Sequence, residues 1–207
     1  MNVLSYPLGY LRLTDEHGRK LFRRNALTVV LLTALISAPF IFAEANFFGD
    51  KGFLDRIGSF SAVLTGFYIA ALVGVASFSS SIGDLDEVIV VGPIKRIATD
   101  GRSEDLTRRQ YVCSLFGYLS FVSLIISIGS ILLIVAAAAD GKLISRVSEI
   151  PVAGPYVVSS LEMLHAALII VCSLIIAHLF VTTCHGLYYL IDRLYQKNDQ
   201  LLEKPDP

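Results

Sequence analysis

The sequence is poor in three kinds of residue. It has no tryptophan, three cysteines among 207 residues, and 17% charged residues, whereas typical soluble domains carry about 25% charged residues. The cysteines, Cys113, Cys172 and Cys184, are odd in number and lie in or beside apolar runs, so they do not predict a disulfide framework. The net charge of −1 gives no overall basic field, which argues against nucleic acid as a partner of the whole chain.

Patterns for catalysis and metal binding are also missing. No nucleophile, base and acid occur as a recognisable set, and no glycine-rich phosphate loop is present. Cys184 and His185 have no second pair at the spacing of zinc ligands. The histidines near the apolar sequence all lie on one segment, whereas haem ligands usually face each other from different helices. We therefore expect no enzyme activity, no cofactor and no metal site.

Apolar sequence is what the chain has in excess: 54% of its residues are hydrophobic, and its mean hydropathy is +0.65. Four runs are long enough to cross a bilayer as helices, which takes about 20 residues. They are Asn25–Ala43, Gly58–Ser80, Tyr111–Ala139 and Leu161–His185. A buried soluble bundle is the alternative for all four, and a signal peptide cleaved near Ala43 is the alternative for the first. The uninterrupted runs favour an all-α membrane protein with four transmembrane helices.

Basic residues outside these runs fall mostly on one side. Thirteen lie in the segments 1–24, 81–110 and 186–207, and four lie in the two remaining loops. Because positive charge is retained in the cytoplasm, both termini and the loop 81–110 are predicted to be cytoplasmic. The chain then divides into an N-terminal segment 1–24, two helices in 25–80, a basic loop 81–110, two helices in 111–185, and a C-terminal helix and tail 186–207.

The loop 81–110 has features of ordered structure. Its run DEVIVVG, residues 86–92, predicts a short strand or hairpin arm, and Thr107 with Gln110 predicts a capping box that begins the third helix before the membrane. Its basic residues are candidates for binding a cytosolic partner protein, a nucleotide-like ligand or a nucleic acid. They are Lys95, Arg96, Arg102, Arg108 and Arg109. The alternative is that these residues only set the topology.

Small residues form a stripe along the second run, at Ala62, Gly66, Ala70 and Gly74. Small side chains at every fourth position let helix backbones approach closely, so this face is predicted to pack against a helix of the same chain or of another copy. The span interiors contain no Asp, Glu, Lys or Arg, which argues against a proton-coupled transporter.

Serines share one face of the third run, at Ser120, Ser123, Ser127 and Ser130. Together with His178 of the fourth run, they are candidates for lining a pore. Helix packing is the alternative for the serines, because a hydroxyl bonds easily to its own helix. A neutral, hydrogen-bonded side chain is the alternative for His178. In place of tryptophan, Tyr111, Tyr118, Tyr188 and Tyr189 are predicted to form an aromatic belt on the cytoplasmic side.

This layout of four spans, short outer loops without cysteine and cytosolic extramembrane mass resembles the four-span membrane subunits of compact bacterial anti-phage systems of the Hailong and Kiwa types. The resemblance covers the whole chain in layout and rests on no motif. It implies a homo-oligomer, a tetramer in particular, in the bacterial inner membrane, controlled by a cytosolic partner or a nucleotide-like ligand. The two functions it favours are a gated pore and, alternatively, a membrane anchor that recruits a cytosolic partner protein.

Overall fold

The computed structural model describes residues 7–43, 45–49, 51–77, 85–86, 88–89, 93–97, 103–147 and 154–195. For residues 97, 138–147, 154–159 and 191–195 it describes the backbone alone. Arg102, one of the predicted binding residues, lies outside the described residues, as does the tail beyond Tyr195.

Four α-helices form most of the structure. They are α1 (Ala26–Phe42), α2 (Phe53–Ser77), α3 (Arg108–Val147) and α4 (Gly154–Tyr195). Two short strands, β1 (Lys95–Ile97) and β2 (Ser103–Asp105), lie between α2 and α3, and two 3₁₀ helices, Pro7–Arg12 and Leu21–Arg23, precede α1. The prediction of a mostly helical protein is therefore confirmed.

Three helices are long and apolar enough to span a membrane: Phe53–Ser77, and the stretches Arg108–Ala137 and Ser160–Leu190 of α3 and α4. The first helix has 17 residues, so at 1.5 Å per residue it is about 26 Å long, shorter than the hydrocarbon core of about 30 Å. Three of the four predicted spans thus have the length of a transmembrane helix, and α1 is a shorter apolar helix.

Both long C-terminal helices extend beyond the predicted runs. The predicted capping box begins α3: the Thr107 amide donates to Oε1 of Gln110 at 3.2 Å, and the Gln110 amide donates to Oγ1 of Thr107 at 3.3 Å. These two bonds satisfy amides that a helix N-terminus leaves open. The fourth helix continues past His185 to Tyr195, as its amphipathic sequence predicts.

The helices pack in pairs, with α2 against α3, α1 against α4, and α3 against α4. The contact of α1 with α4 has a small apolar core of Val29, Ala177 and Val181. At the end of the bundle opposite the strands, Phe47, Phe48 and Leu54 pack with Ile169. The largest core lies at the strand end, where it joins the helices to the segments outside them.

We call these outer segments the cap: residues 7–24 together with the described residues of 85–107. β1 and β2 form an antiparallel hairpin that pairs Lys95 with Asp105 and Ile97 with Ser103. The N-terminal segment joins it, because the Thr14 amide donates to the Lys95 carbonyl at 3.0 Å and the Lys95 amide donates to the Thr14 carbonyl at 2.9 Å. The predicted ordered loop is thus one half of a folded unit.

The run 86–92, which predicts a short strand or hairpin arm, is described at residues 86, 88 and 89. Val88 makes an antiparallel bridge to Thr107, and Ile89, 3% exposed, belongs to the core that joins the cap to the helices. Among the described residues, the paired strands of the hairpin are Lys95–Ile97 and Ser103–Asp105. The remaining residues of the predicted arm lie outside the described residues.

Candidate functional site between cap and helices

One buried tyrosine of the cap packs directly on the helices. Tyr10, in the first 3₁₀ helix, is 3% exposed, and its ring stacks on Tyr118 of α3 with 5.1 Å between centroids. It also lies 6.4 Å from the ring of Tyr111, which in turn contacts Tyr189 of α4 at 4.6 Å. Tyr10 therefore packs on α3, and Tyr111 connects this contact to α4.

Tyr118 continues this contact into the bundle. Its ring lies 5.9 Å from the imidazole of His178 in an edge-to-face arrangement. Nδ1 of His178 shares a hydrogen bond of 3.0 Å with Oγ1 of Thr182, one turn further along α4. We name this connected set, Tyr10, Tyr111, Tyr118, His178 and Tyr189, the aromatic column. It provides a packed path from the cap to a polar side chain within the span.

The aromatic belt prediction is wrong for two of its members. Tyr111 is fully buried and Tyr118 is 5% exposed, so neither faces lipid, whereas Tyr188 is 63% exposed. The sequence signal that places tyrosine near a membrane surface does not separate lipid-facing from inward-facing positions on a helix. Tyr10 was missed altogether, although the apolar residues of "YPLGYLRL", residues 6–13, are an available signal for a packed segment.

The serine face of α3 points into the bundle of a single chain. Ser123 and Ser130 are buried, while Ser120 and Ser127 are half-buried. The hydroxyls of Ser120 and Ser130 donate to the carbonyls of Gly117 and Ser127, at 3.0 and 2.8 Å. Among the described residues, the Ser123 hydroxyl has no hydrogen-bond partner. Of these serines, the structure places Ser130 against Gly58 of α2, and His178 of α4 lies against Tyr118 of α3.

A polar contact between two helices lies nearby. The hydroxyl of Tyr68, on α2, and that of Thr183, on α4, lie 2.7 Å apart, and Tyr68 is 2% exposed. Since a hydroxyl in hydrocarbon must find a partner within the protein, this bond orients α2 and α4 relative to each other. Thr183 in turn donates to the Leu179 carbonyl at 2.8 Å.

The small-residue stripe of α2 faces away from the other described helices. Ala62, Gly66 and Ala70 are exposed and Gly74 is half-exposed. A Cβ built on Gly66 or Gly74 meets no atom within 4 Å. The close approach of α2 to α3 occurs instead at Gly58, where a Cβ would overlap Oγ of Ser130 and lie 2.8 Å from its Cβ. Within the described chain the stripe has no partner helix.

The basic residues of the loop differ in environment. Arg109 pairs with Asp86 at 2.9 Å and its amide donates to the Leu85 carbonyl at 2.8 Å, so it clamps the turn at 85–86 onto the start of α3. Arg96 faces Glu104 across the hairpin at 3.5 Å, with both side chains about half exposed. Lys95 is half-buried beside Thr14, and Arg108 is half-buried at the first position of α3. The side chains of Arg96 and Arg109 therefore contribute to the cap's own structure.

Within the part of the chain that the structure describes, no three His, Cys, Asp or Glu side chains are grouped to hold a metal ion. Comparison with known proteins gave no match to a family model, to a curated protein or to a solved structure. The function is therefore argued from this geometry.

Burial of Tyr10 predicts a measurable pH dependence. It raises the pKa of Tyr10 to about 12, whereas a phenol in the unfolded chain titrates near 10. The unfolded state loses this proton first, so the contribution is complete below pH 10 and declines as the pH rises to about 12. Between pH 9 and about 11.5, the wild type should lose about 2 kcal/mol more unfolding free energy than Tyr10→Phe does.

The measurement is chemical denaturation in detergent across this pH range, with the exposed Tyr188→Phe as the matched control. The other buried tyrosines are present in all three proteins, so the difference between the curves reports the Tyr10 hydroxyl together with its coupling to its ring neighbours Tyr111 and Tyr118. Identical pH curves for Tyr10→Phe and Tyr188→Phe would contradict the burial of Tyr10 between the cap and the helices.

Proposed function

We propose that the protein is a homo-oligomeric membrane effector whose helices form a pore, controlled at the cap by a ligand or partner protein. The observation that carries the proposal is the aromatic column. Tyr10 belongs to the cap, contacts Tyr118 of α3, and through it reaches His178 of α4. A displacement of the cap would therefore move side chains inside the bundle.

Buried hydroxyls support the proposal that this structure is the closed state of a pore that can open. Ser123 on α3 and Ser173 on α4 are fully buried, and among the described residues neither hydroxyl has a hydrogen-bond partner. A buried hydroxyl without a partner costs about 1–3 kcal/mol. Water entering between separating helices would satisfy both groups, which lowers the free energy needed to open a wet path there.

The outward stripe of α2 supports assembly. Ala62, Gly66 and Ala70 present small side chains to the surroundings, so a helix of another copy can approach closely. Four helices of one chain fill their own centre, and a wide pore needs several copies around an axis. With the resemblance in layout, the proposal includes a tetramer in the bacterial inner membrane, both termini in the cytoplasm, and a role in anti-phage defence.

A membrane anchor that recruits a cytosolic protein is the second candidate. The enclosure of Ser123 and Ser130 favours it, because serines buried within one chain do not line a pore between copies. In this case the cap is a docking platform, and Lys95, Arg96 and Arg108 belong to the surface that the partner meets. The membrane helices then hold that platform at the bilayer and carry no ions.

Membrane potential in cells that make the protein separates the two candidates. Arg109→Glu breaks the clamp to Asp86, so under the pore proposal it should loosen the cap and depolarise the cells, as read by a voltage-sensitive dye. Arg96→Glu makes the same charge change in the hairpin, at an exposed pair, and should depolarise the cells much less.

Blocking the serine face should then reverse the effect. Adding Ser123→Leu and Ser127→Leu to Arg109→Glu is expected to restore the potential while the protein remains in the membrane fraction. Cells that stay polarised with Arg109→Glu, together with a cap that protease digestion shows to be loosened, would favour the anchor instead.

A further inference from the structure

The N-terminal half of the cap holds four basic side chains around an open pocket. The pocket has a volume of about 730 Å³ and is lined by Asp15, Gly18, Arg19, Lys20, Arg23 and Arg24. Pockets for small ligands usually measure about 300–1,000 Å³, so it has room for a phosphorylated small molecule or a lipid headgroup. The sequence pattern of these cations predicts membrane topology and does not reveal the pocket.

The backbone beneath these cations is fixed. Thr14 and Lys20 form an antiparallel bridge, and Gly18 closes the turn between them with φ of 72°, which favours glycine. On either side of the turn, Leu13 and Leu21 are buried in the cap core. The basic side chains therefore project from an ordered turn and from the 3₁₀ helix that follows it.

The single carboxylate of the pocket is engaged by the turn. Oδ1 of Asp15 accepts hydrogen bonds from the amides of His17 and Arg19, at 3.0 and 2.8 Å. The four basic side chains form no ion pair with another described residue, in contrast to Arg96 and Arg109 in the second half of the cap. Four positive charges thus share a concave surface with one negative charge, which favours a multiply charged anion.

The pocket also lies at the edge of the membrane helices. Arg24 is two residues before Ala26, the first residue of α1, and it interacts electrostatically with His185 of α4. Cations in this position stand at the level of lipid phosphates when the neighbouring helices cross a bilayer. A ligand here would contact the N-terminal half of the cap close to the helices that it covers.

We propose that Arg19, Lys20, Arg23 and Arg24 form a binding site for a dianionic phosphate group. Guanidinium groups bind phosphate oxygens through pairs of parallel hydrogen bonds, and lysine adds a compact positive charge. The phosphate belongs either to a soluble ligand or to a membrane lipid of the phosphomonoester type. The site would supply a ligand for the control proposed above, yet its occupancy does not depend on whether the helices conduct.

Calorimetry on the full-length protein in detergent tests this site with two probes. Inorganic pyrophosphate represents a soluble ligand, and short-chain phosphatidic acid represents a lipid headgroup, with phosphatidylcholine as its neutral counterpart. Binding to the wild type should weaken as salt is raised. Arg23→Gln with Arg24→Gln should raise the Kd by about tenfold or more.

Two further double variants complete the test, one as a charge-matched control and one that removes charge from the turn. Lys51→Gln with Arg56→Gln removes the same charge at the other end of the bundle and should leave the Kd within about twofold. Arg19→Gln with Lys20→Gln removes charge from the turn, and should weaken binding even where the first pair of changes disturbs α1. Unchanged melting temperatures identify the variants that remain folded.

Binding of pyrophosphate identifies a soluble phosphate ligand, and binding of phosphatidic acid alone identifies a lipid headgroup. Absence of binding by both probes would overturn the site, as would equal weakening by Lys51→Gln with Arg56→Gln. Because no conductance is measured, a failed pore proposal and a failed phosphate site give different results.

Discussion

Gly58→Val is expected to lower the melting temperature in detergent by roughly 5–10 °C, whereas Gly66→Val should change it little. A side chain at Gly58 overlaps Ser130 on α3, so α2 must move away from its main partner, at a cost of about 2–3 kcal/mol. In a chain of this size each kcal/mol shifts the melting temperature by about 2–4 °C. Gly66 lies on the same helix, but no atom within 4 Å meets a side chain there.

A double variant tests whether the clash itself is responsible. Ser130→Gly removes both atoms that the new side chain meets, so Gly58→Ala should cost less in the Ser130→Gly background than in the wild type. The comparison is made on protein kept monomeric in detergent, because the stripe that includes Gly66 is proposed to pack against another copy in the oligomer. In the monomer, a loss of stability from Gly66→Val equal to that from Gly58→Val would contradict the described packing of α2.

Tyr10→Ala is expected to loosen the N-terminal half of the cap. Truncating a buried aromatic side chain costs about 3–5 kcal/mol, and here the lost contacts include the packing of the Tyr10 ring on α3. Trypsin should then cleave the basic N-terminal segment many times faster than in the wild type. Tyr188→Ala removes an exposed ring from α4 and should leave cleavage unchanged.

The same variant has a large expected effect in cells. If the cap restrains a pore, Tyr10→Ala should depolarise the membrane, and Tyr188→Ala should not. Polarised cells that contain the proteolytically loosened variant would favour the anchor over the pore. A cap that remains resistant to trypsin in Tyr10→Ala would instead contradict the role of the aromatic column in holding it.

Elements specified by neighbouring residues were predictable from the sequence. The apolar runs identified the helices, and Thr107 and Gln110 identified the start of α3, because a capping box depends on positions three residues apart. The ends of α3 and α4 were less predictable. Both helices continue past their apolar stretches into polar sequence, which supports a helix without showing where it stops.

Features that join distant parts of the chain were not predictable. The apolar residues around Tyr10 do not identify Tyr118 as its partner. In the loop sequence Arg96 and Arg109 are simply two basic residues. The sequence therefore does not distinguish Arg109, which pairs with Asp86, from the more exposed Arg96. The direction of the serine face and of the small-residue stripe also depends on which helix lies beside which. A residue pattern defines a face, but the neighbour that covers it comes from the packing.

The bridge between Thr14 and Lys95 has a consequence for biosynthesis. Its two strands are 81 residues apart in the chain, so at about 5–20 residues per second the second strand leaves the ribosome roughly 4–16 s after the first. During that interval α1 and α2 are synthesised. The N-terminal segment, whose Tyr10 and Leu13 are buried in the folded protein, has no Lys95 strand to pair with until then. The order of events is thus fixed by the chain: two helices can enter the membrane first, and the unit that covers them is completed afterwards.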